Sequence, residues 1–168
     1  MMILNRIKQV VDGTIAAFSI AVMVALVVCV VWQVFSRYVL NQPSTMTDEL
    51  ARFLMIWVGL SGAAYTVGAQ RHLAIDLLAM ALNARKQALL NILINSLIFL
   101  FSGLVVVTGG IKLINKTLAT AQVSAAMQIP MGYVYLILPL CGAMMMFYAL
   151  YFIQLNLHRL THPQEAAH

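Results

Sequence analysis

Residues that could carry out chemistry are few in this chain of 168 residues. A thiol oxidoreductase needs two cysteines within reach of each other and of solvent, but Cys29 and Cys141 each stand alone in an apolar stretch. A bundle that binds haem needs histidines inside its membrane spans. The four histidines all lie outside the apolar stretches: His72, His158, His162 and His168.

The acidic residues argue against a substrate site in this chain. An ion-coupled transporter needs carboxylates or broken helices near the middle of the membrane. Pro139 is predicted to kink the last span, but this single kink lacks the paired partner that an inverted repeat would show. The sequence therefore predicts no enzyme activity, no cofactor and no metal site. The five acidic residues lie at the amino-terminal tip, in a turn, in a polar segment and in the tail: Asp12, Asp48, Glu49, Asp76 and Glu165.

One turn holds most of the charge near the first two apolar segments. Asp48 and Glu49 fall in a predicted first helical turn, where negative charge suits the helix dipole. Either carboxylate can neutralise Arg52 at helical spacing, and Thr45 followed by Asp48 fits a capping box. Arg37, on the other side of the turn, can extend to the lipid headgroups or pair with Glu49.

Composition identifies the class of protein that must position these residues. Apolar side chains make up 62% of the chain and charged ones 9%, against about 25% charged in soluble domains. This is the composition of an integral membrane protein with one membrane domain, residues 1–168. The formal charge of +5 is spread in ones and twos beside apolar segments, which indicates contact with phospholipid headgroups and not with nucleic acid.

The apolar segments predict an all-α integral membrane fold with four transmembrane helices, at about residues 13–39, 49–70, 87–111 and 129–157. The first is too long for a signal peptide and is predicted to be retained. Between the second and third spans, residues 72–86 have a polar stripe typical of an amphipathic helix in the membrane interface, with a polar loop as the alternative. Its interfacial residues are Arg71, His72, Asp76, Arg85 and Lys86. The basic residues slightly favour both termini on the cytoplasmic side.

Small residues in the second span suggest close packing against another helix. Gly59 and Ala63 are four residues apart and Gly62 lies beside them, a spacing that lets helices approach closely. The partner could be another protein or this chain's own helices, and Trp57 could belong to an aromatic belt or to the core. A bundle that has small-residue helix faces, but no substrate or ion site near the middle of the membrane, is best interpreted as the partner of another membrane protein. A self-sufficient homo-oligomeric transporter and a membrane anchor of a redox complex are the alternatives.

Several short motifs then suggest a family. In order they are FSRYVL at 35–40, PST at 43–45, ELARFL at 49–54, WVGLSGAAY at 57–65 and RHLAID at 71–76. Together they resemble the signature region of the DctQ-like small membrane subunit of tripartite ATP-independent periplasmic (TRAP) transporters. The third and fourth spans match only as hydrophobic segments.

The resemblance implies an accessory subunit in the bacterial inner membrane. It would pair with a large membrane subunit that moves an organic acid (a dicarboxylate, keto acid or sialic acid) with sodium ions by an elevator motion. The large subunit would hold the sodium ions, while this chain would extend the static scaffold and help dock a periplasmic binding protein. The scaffold and docking candidates are Arg37, Asp48, Glu49, Arg52, Trp57, Gly59, Gly62 and Ala63.

Overall fold

The computed structural model describes residues 2–70 and 82–161. Within these ranges the chain forms six α-helices, and a π-helical segment, Ser102–Val107, joins the third to the fourth. The helices are α1 Met2–Tyr38, α2 Thr45–Gly68, α3 Ala84–Phe101, α4 Thr108–Ala119, α5 Met131–Val134 and α6 Ile137–Thr161.

Four helical stretches are long and apolar enough to cross a membrane: Arg6–Tyr38, Thr45–Gly68, Arg85–Ala119 and Met131–His158. This confirms the predicted all-α fold with four membrane spans. The third stretch continues past Ile111, where the sequence places the end of the span, to Ala119.

The predicted interfacial helix falls mostly outside the described residues. Arg71, His72 and Asp76 lie in that part of the chain, so the helix stays a prediction. Its last predicted residues, Arg85 and Lys86, instead belong to the first turn of α3.

The helices pack in a chain of neighbours. Helix α1 packs along α2, α2 also contacts α6, and α6 lies against α3 and the π-helical segment. One buried cluster joins Ile15 of α1, Ala64 of α2 and Cys141 of α6. Many large apolar side chains on α1 are exposed, as expected for a helix that faces lipid or a partner in the membrane.

Proline explains the break in the fourth span. Pro139 has no N–H to donate to the carbonyl of Tyr135 four residues earlier, and the N–H of Leu138 bonds that carbonyl at 3.0 Å instead. Helix α5 therefore ends at Val134 and α6 begins at Ile137. The sequence predicts a kink at Pro139 itself, whereas the irregular turn lies just before it.

The second half of the third span approaches the fourth span very closely. A Cβ added to Gly110 would lie 2.9 Å from Leu138 Cβ and 2.9 Å from Pro139 Cδ. A Cβ added to Gly142 would lie 2.8 Å from a methyl group of Val107. Glycine is therefore needed at both positions for the contact to form. This contact begins where the π-helical segment ends.

Candidate functional site

The carboxylate of Glu49, at the start of α2, is the most heavily bonded polar group of the described residues. It accepts hydrogen bonds from Ser124 Oγ at 2.6 Å and from the backbone N–H groups of Ala125 at 3.0 Å, Ala126 at 2.8 Å and Met127 at 3.1 Å. Successive N–H groups that converge on one anion form a nest. Glu49 therefore fixes the segment 122–131, called the α4–α5 loop below, to the start of α2.

The α4–α5 loop is shaped to present these donors. The N–H of Met131 bonds the carbonyl of Gln122 at 2.9 Å, and the N–H of Ser124 bonds that of Ile129 at 2.9 Å. Gln128 adopts a left-handed backbone conformation, with φ of 55°, which turns the chain back on itself. The loop is thus a small closed unit that is tied to α2 by one carboxylate.

Asp48, the neighbour of Glu49, makes different contacts. Its carboxylate pairs with Arg52 at 2.6 Å, which confirms the predicted pair four residues apart, and accepts a hydrogen bond of 2.5 Å from Gln33 of α1. The Arg52 side chain is 73% exposed, so the ion pair contributes at most about 1 kcal/mol. The Gln33 contact links α1 to α2.

Two details of the predicted turn are wrong. The N-cap of α2 is Ser44, with no side-chain cap bond, and Thr45 is already helical, so the capping box does not form. Glu49 bonds the α4–α5 loop and neither Arg52 nor Arg37. Arg37 is exposed and takes part in neither ion pair of the described residues.

Trp57 belongs to the interior of the bundle. Its indole N–H donates to the carbonyl of Val134 at 2.9 Å, and its ring lies 6.0 Å from that of Phe18. The carbonyl of Val134 is available because α5 ends there. Of the two alternatives for Trp57, the structure favours the core.

Trp57→Phe should lower the stability of the purified chain in detergent by about 1 kcal/mol, because the Val134 carbonyl loses its donor. Thermal unfolding measures the change. Trp32→Phe is the matched control, since Trp32 is 48% exposed on α1 and should tolerate the change. An equal loss in both variants would contradict this role of Trp57.

The small residues of α2 are not packed tightly against this chain's own helices. A Cβ at Gly59 or Gly62 would meet no described atom within 4 Å, and Ala63 is exposed. The buried small residues of α2, Ser61 and Ala64, lie on the opposite face. Beside Gly62 a groove of about 390 Å³ runs between α1 and α2, lined by Ala16, Ser19, Ile20, Met23, Val24, Val58, Gly62 and Tyr65.

A polar cluster that the sequence does not predict closes the other end of the bundle. Asp12 of α1 accepts a hydrogen bond from Tyr148 Oη of α6 at 2.7 Å and pairs with Lys8 at 2.6 Å. The Lys8 ammonium lies 5.8 Å and 5.7 Å from the ring centres of Tyr148 and Phe152. The Tyr148 side chain is fully buried. The sequence places Asp12 at a polar tip, but α1 is already helical there and Asp12 is half-buried against α6.

Gly68 of α2 completes this cluster. A Cβ at Gly68 would lie 2.6 Å from Cζ of Tyr148 and within 2.9 Å of two further ring atoms. The tyrosine ring therefore rests directly on the backbone of α2. Three helices meet at this ring.

These arrangements hold segments of the chain together. Among the described residues, no group of three or more His, Cys, Asp and Glu side chains could hold a metal ion. Asp12, Asp48 and Glu49 are all engaged within the chain. Of the predicted scaffold and docking residues, Arg37, Arg52 and the small-residue face of α2 remain accessible.

Comparison with known proteins finds relatives among TRAP transporter permeases. The chain is 26% identical over 144 residues to the sialic acid TRAP transporter permease protein SiaT of Haemophilus influenzae, which covers 86% of this chain and 22% of that permease. It is 25% identical over 106 residues to the sialic acid TRAP transporter small permease protein SiaQ of Vibrio cholerae, 63% of this chain and 61% of that protein. It is 31% identical over 100 residues to the C4-dicarboxylate TRAP transporter small permease protein DctQ of Rhodobacter capsulatus, 60% of this chain and 44% of that protein.

The chain thus spans about a fifth of the SiaT permease and 61% of SiaQ. Residues 26–158 match a family of transporter components. It is a family of transporter subunits and not of enzymes. That range holds the last third of α1, and α2 to α6 up to the last turn of α6. The chain therefore belongs to the DctQ component family of the tripartite ATP-independent periplasmic transporters, as the motifs of its first two spans predict.

Proposed function

We propose that this chain is the accessory small membrane subunit of a TRAP transporter and works only in complex with a large membrane subunit. The observation that carries the proposal is the match to SiaT, which covers 86% of this chain but 22% of that permease. A region of this kind can thus form part of a larger permease chain. The carboxylates of the described residues are bound internally, which supports a role without a substrate or sodium site.

In this proposal the bundle enlarges the static scaffold of the complex. Glu49 fastens the α4–α5 loop at one end, and Asp12 fastens α1 to α6 at the other. Such a bundle resists bending, which suits a fixed support for a moving domain. The large subunit would carry the substrate and the sodium ions.

The cargo would be an organic acid taken up with sodium ions from a periplasmic binding protein. Two of the relatives are named for sialic acid and one for C4-dicarboxylates, and keto acids belong to the same chemical class. Residues 1–168 would form one domain. Both termini would lie in the cytoplasm, which places the α4–α5 loop and Arg37 on the periplasmic side, where they would help dock the binding protein.

The test is purification and reconstitution of this chain with and without the corresponding large permease. We expect the two chains to copurify in a fixed ratio, and only the pair, supplied with a binding protein and a sodium gradient, to move an organic acid into liposomes. Flux through the isolated chain would overturn the proposal. A bound chromophore on the isolated chain would also overturn it, since it would indicate a redox anchor.

A further inference from the structure

The described glycines differ in what a side chain would meet. A Cβ would collide with a neighbouring side chain at Gly68, Gly110, Gly132 and Gly142, so the fold of this chain explains them. No described atom lies within 4 Å of a Cβ at Gly59 or Gly62. Glycine lowers helix stability relative to alanine, and this chain's own packing gives no reason for it at these two positions.

The open glycines of α2 adjoin the groove between α1 and α2. Ser19 of α1 lines the groove beside Gly62, and its hydroxyl oxygen, with less than 1 Å² exposed, has no hydrogen-bond partner among the described residues. Serine hydroxyls in membrane helices normally bond within the helix or across to another one. The groove is therefore lined by a serine whose hydroxyl is left without a hydrogen bond by the described residues of this chain.

A transmembrane helix fits this site better than an acyl chain. Small residues let two helix backbones approach closely, and Gly59 and Ala63 provide that spacing on the exposed face. A hydroxyl without a partner is satisfied by a backbone carbonyl or polar side chain but not by hydrocarbon. Gly109, which is also open, has Val105 and Leu113 one turn before and after it and lacks the small-residue spacing.

We propose that the face formed by Gly59, Gly62 and Ala63, with the groove and Ser19 beside it, is the seat of a transmembrane helix of the large permease. This inference rests on the proposed function and adds the surface through which the two subunits meet. The SiaT match supports this occupant, because there a region like this chain shares one polypeptide with the rest of a permease.

The first experiment compares Gly62→Leu with Gly109→Leu in the chain coexpressed with a large permease, a separate chain that corresponds to the remaining length of SiaT. A Cβ meets no described atom within 4 Å at either position, and both substitutions gain helix propensity, so neither variant should unfold below the wild-type temperature. We expect Gly62→Leu to lower the recovery of the large permease by about tenfold, which corresponds to a tenfold weaker affinity between the two subunits. Gly109→Leu should recover it fully.

The second experiment places a photoreactive residue at Ala63 or, as control, at Leu97, which is 58% exposed on α3. We expect a crosslink from position 63 to a peptide of the large permease and only lipid adducts from position 97. Crosslinks from position 63 to lipid, to a second copy, or to residues 71–81 of the same chain would overturn the assignment.

The outcomes separate the two proposals. If the wild-type pair never copurifies, both the function and the interface are wrong. If the wild-type pair copurifies and Gly62→Leu does so equally well, only the interface is wrong.

Discussion

Glu49→Gln is expected to release the α4–α5 loop and to reduce uptake by the assembled transporter. A glutamine whose oxygen takes the position of Oε2 still accepts from Ser124, Ala126 and Met127, but its NH₂ group faces the N–H of Ala125. That bond is lost, and the other three are weakened because their acceptor no longer carries a charge. Hydrogen exchange at the N–H groups of Ala125, Ala126 and Met127 should become faster by roughly tenfold. Uptake of the organic acid should fall, and the preference among substrates should stay unchanged.

Asp48→Asn is the matched control for Glu49→Gln. It removes the same charge one residue earlier, but among the described residues the Asp48 carboxylate bonds Gln33 and the exposed Arg52 and not the loop. The loop should therefore remain protected, and uptake should stay near wild type. Glu49→Lys, which reverses the charge, should speed hydrogen exchange in the loop and lower uptake more than Glu49→Gln does. Retained protection in Glu49→Gln would disprove the role of the carboxylate, and an altered substrate preference would argue against a scaffold.

Gly68→Ala is the substitution with the largest expected effect on stability. The added methyl group would lie 2.6 Å from Cζ of Tyr148, whose ring is buried and held by Asp12. The ring cannot move without breaking that hydrogen bond, so we expect a loss of about 1–3 kcal/mol, as for other overpacked sites. Thermal unfolding of the purified chain in detergent measures it.

Gly13→Ala should change the stability of the chain in the opposite direction. Gly13 is also helical, on α1, but a Cβ there would meet no described atom within 4 Å. Alanine should therefore stabilise the chain by about 0.5–1 kcal/mol through helix propensity alone. If Gly68→Ala behaved like Gly13→Ala, the tight contact between α2 and the Tyr148 ring would be disproved.

The sequence predicts the features of this molecule that are local in the chain. Apolar length predicts the four spans, and spacing predicts the pair of Asp48 with Arg52. The motifs of the first two spans also identify the family. Each of these depends on residues within a few turns of one another.

Contacts between residues that are distant in the chain could not be predicted from such local patterns. The contact of Glu49 with Ser124 joins residues 75 positions apart, and that of Tyr148 with Asp12 joins residues 136 apart. Lys8 and Asp12, four residues apart, could have suggested an ion pair, but nothing nearby indicates the tyrosine. The orientation of Gly59 and Gly62 was equally open, because small residues pack against internal and external helices alike.

The π-helical turn at Ser102–Val107 has a consequence for evolutionary comparison. A single residue inserted into an α-helix produces such a turn, and one residue corresponds to about 100° of rotation around the axis. Removal of one residue there would restore a regular helix but would swing Gly110 away from Leu138 and Pro139. Homologues that lack this residue should therefore carry a larger side chain in place of Gly110 and should seat their fourth span farther from the third.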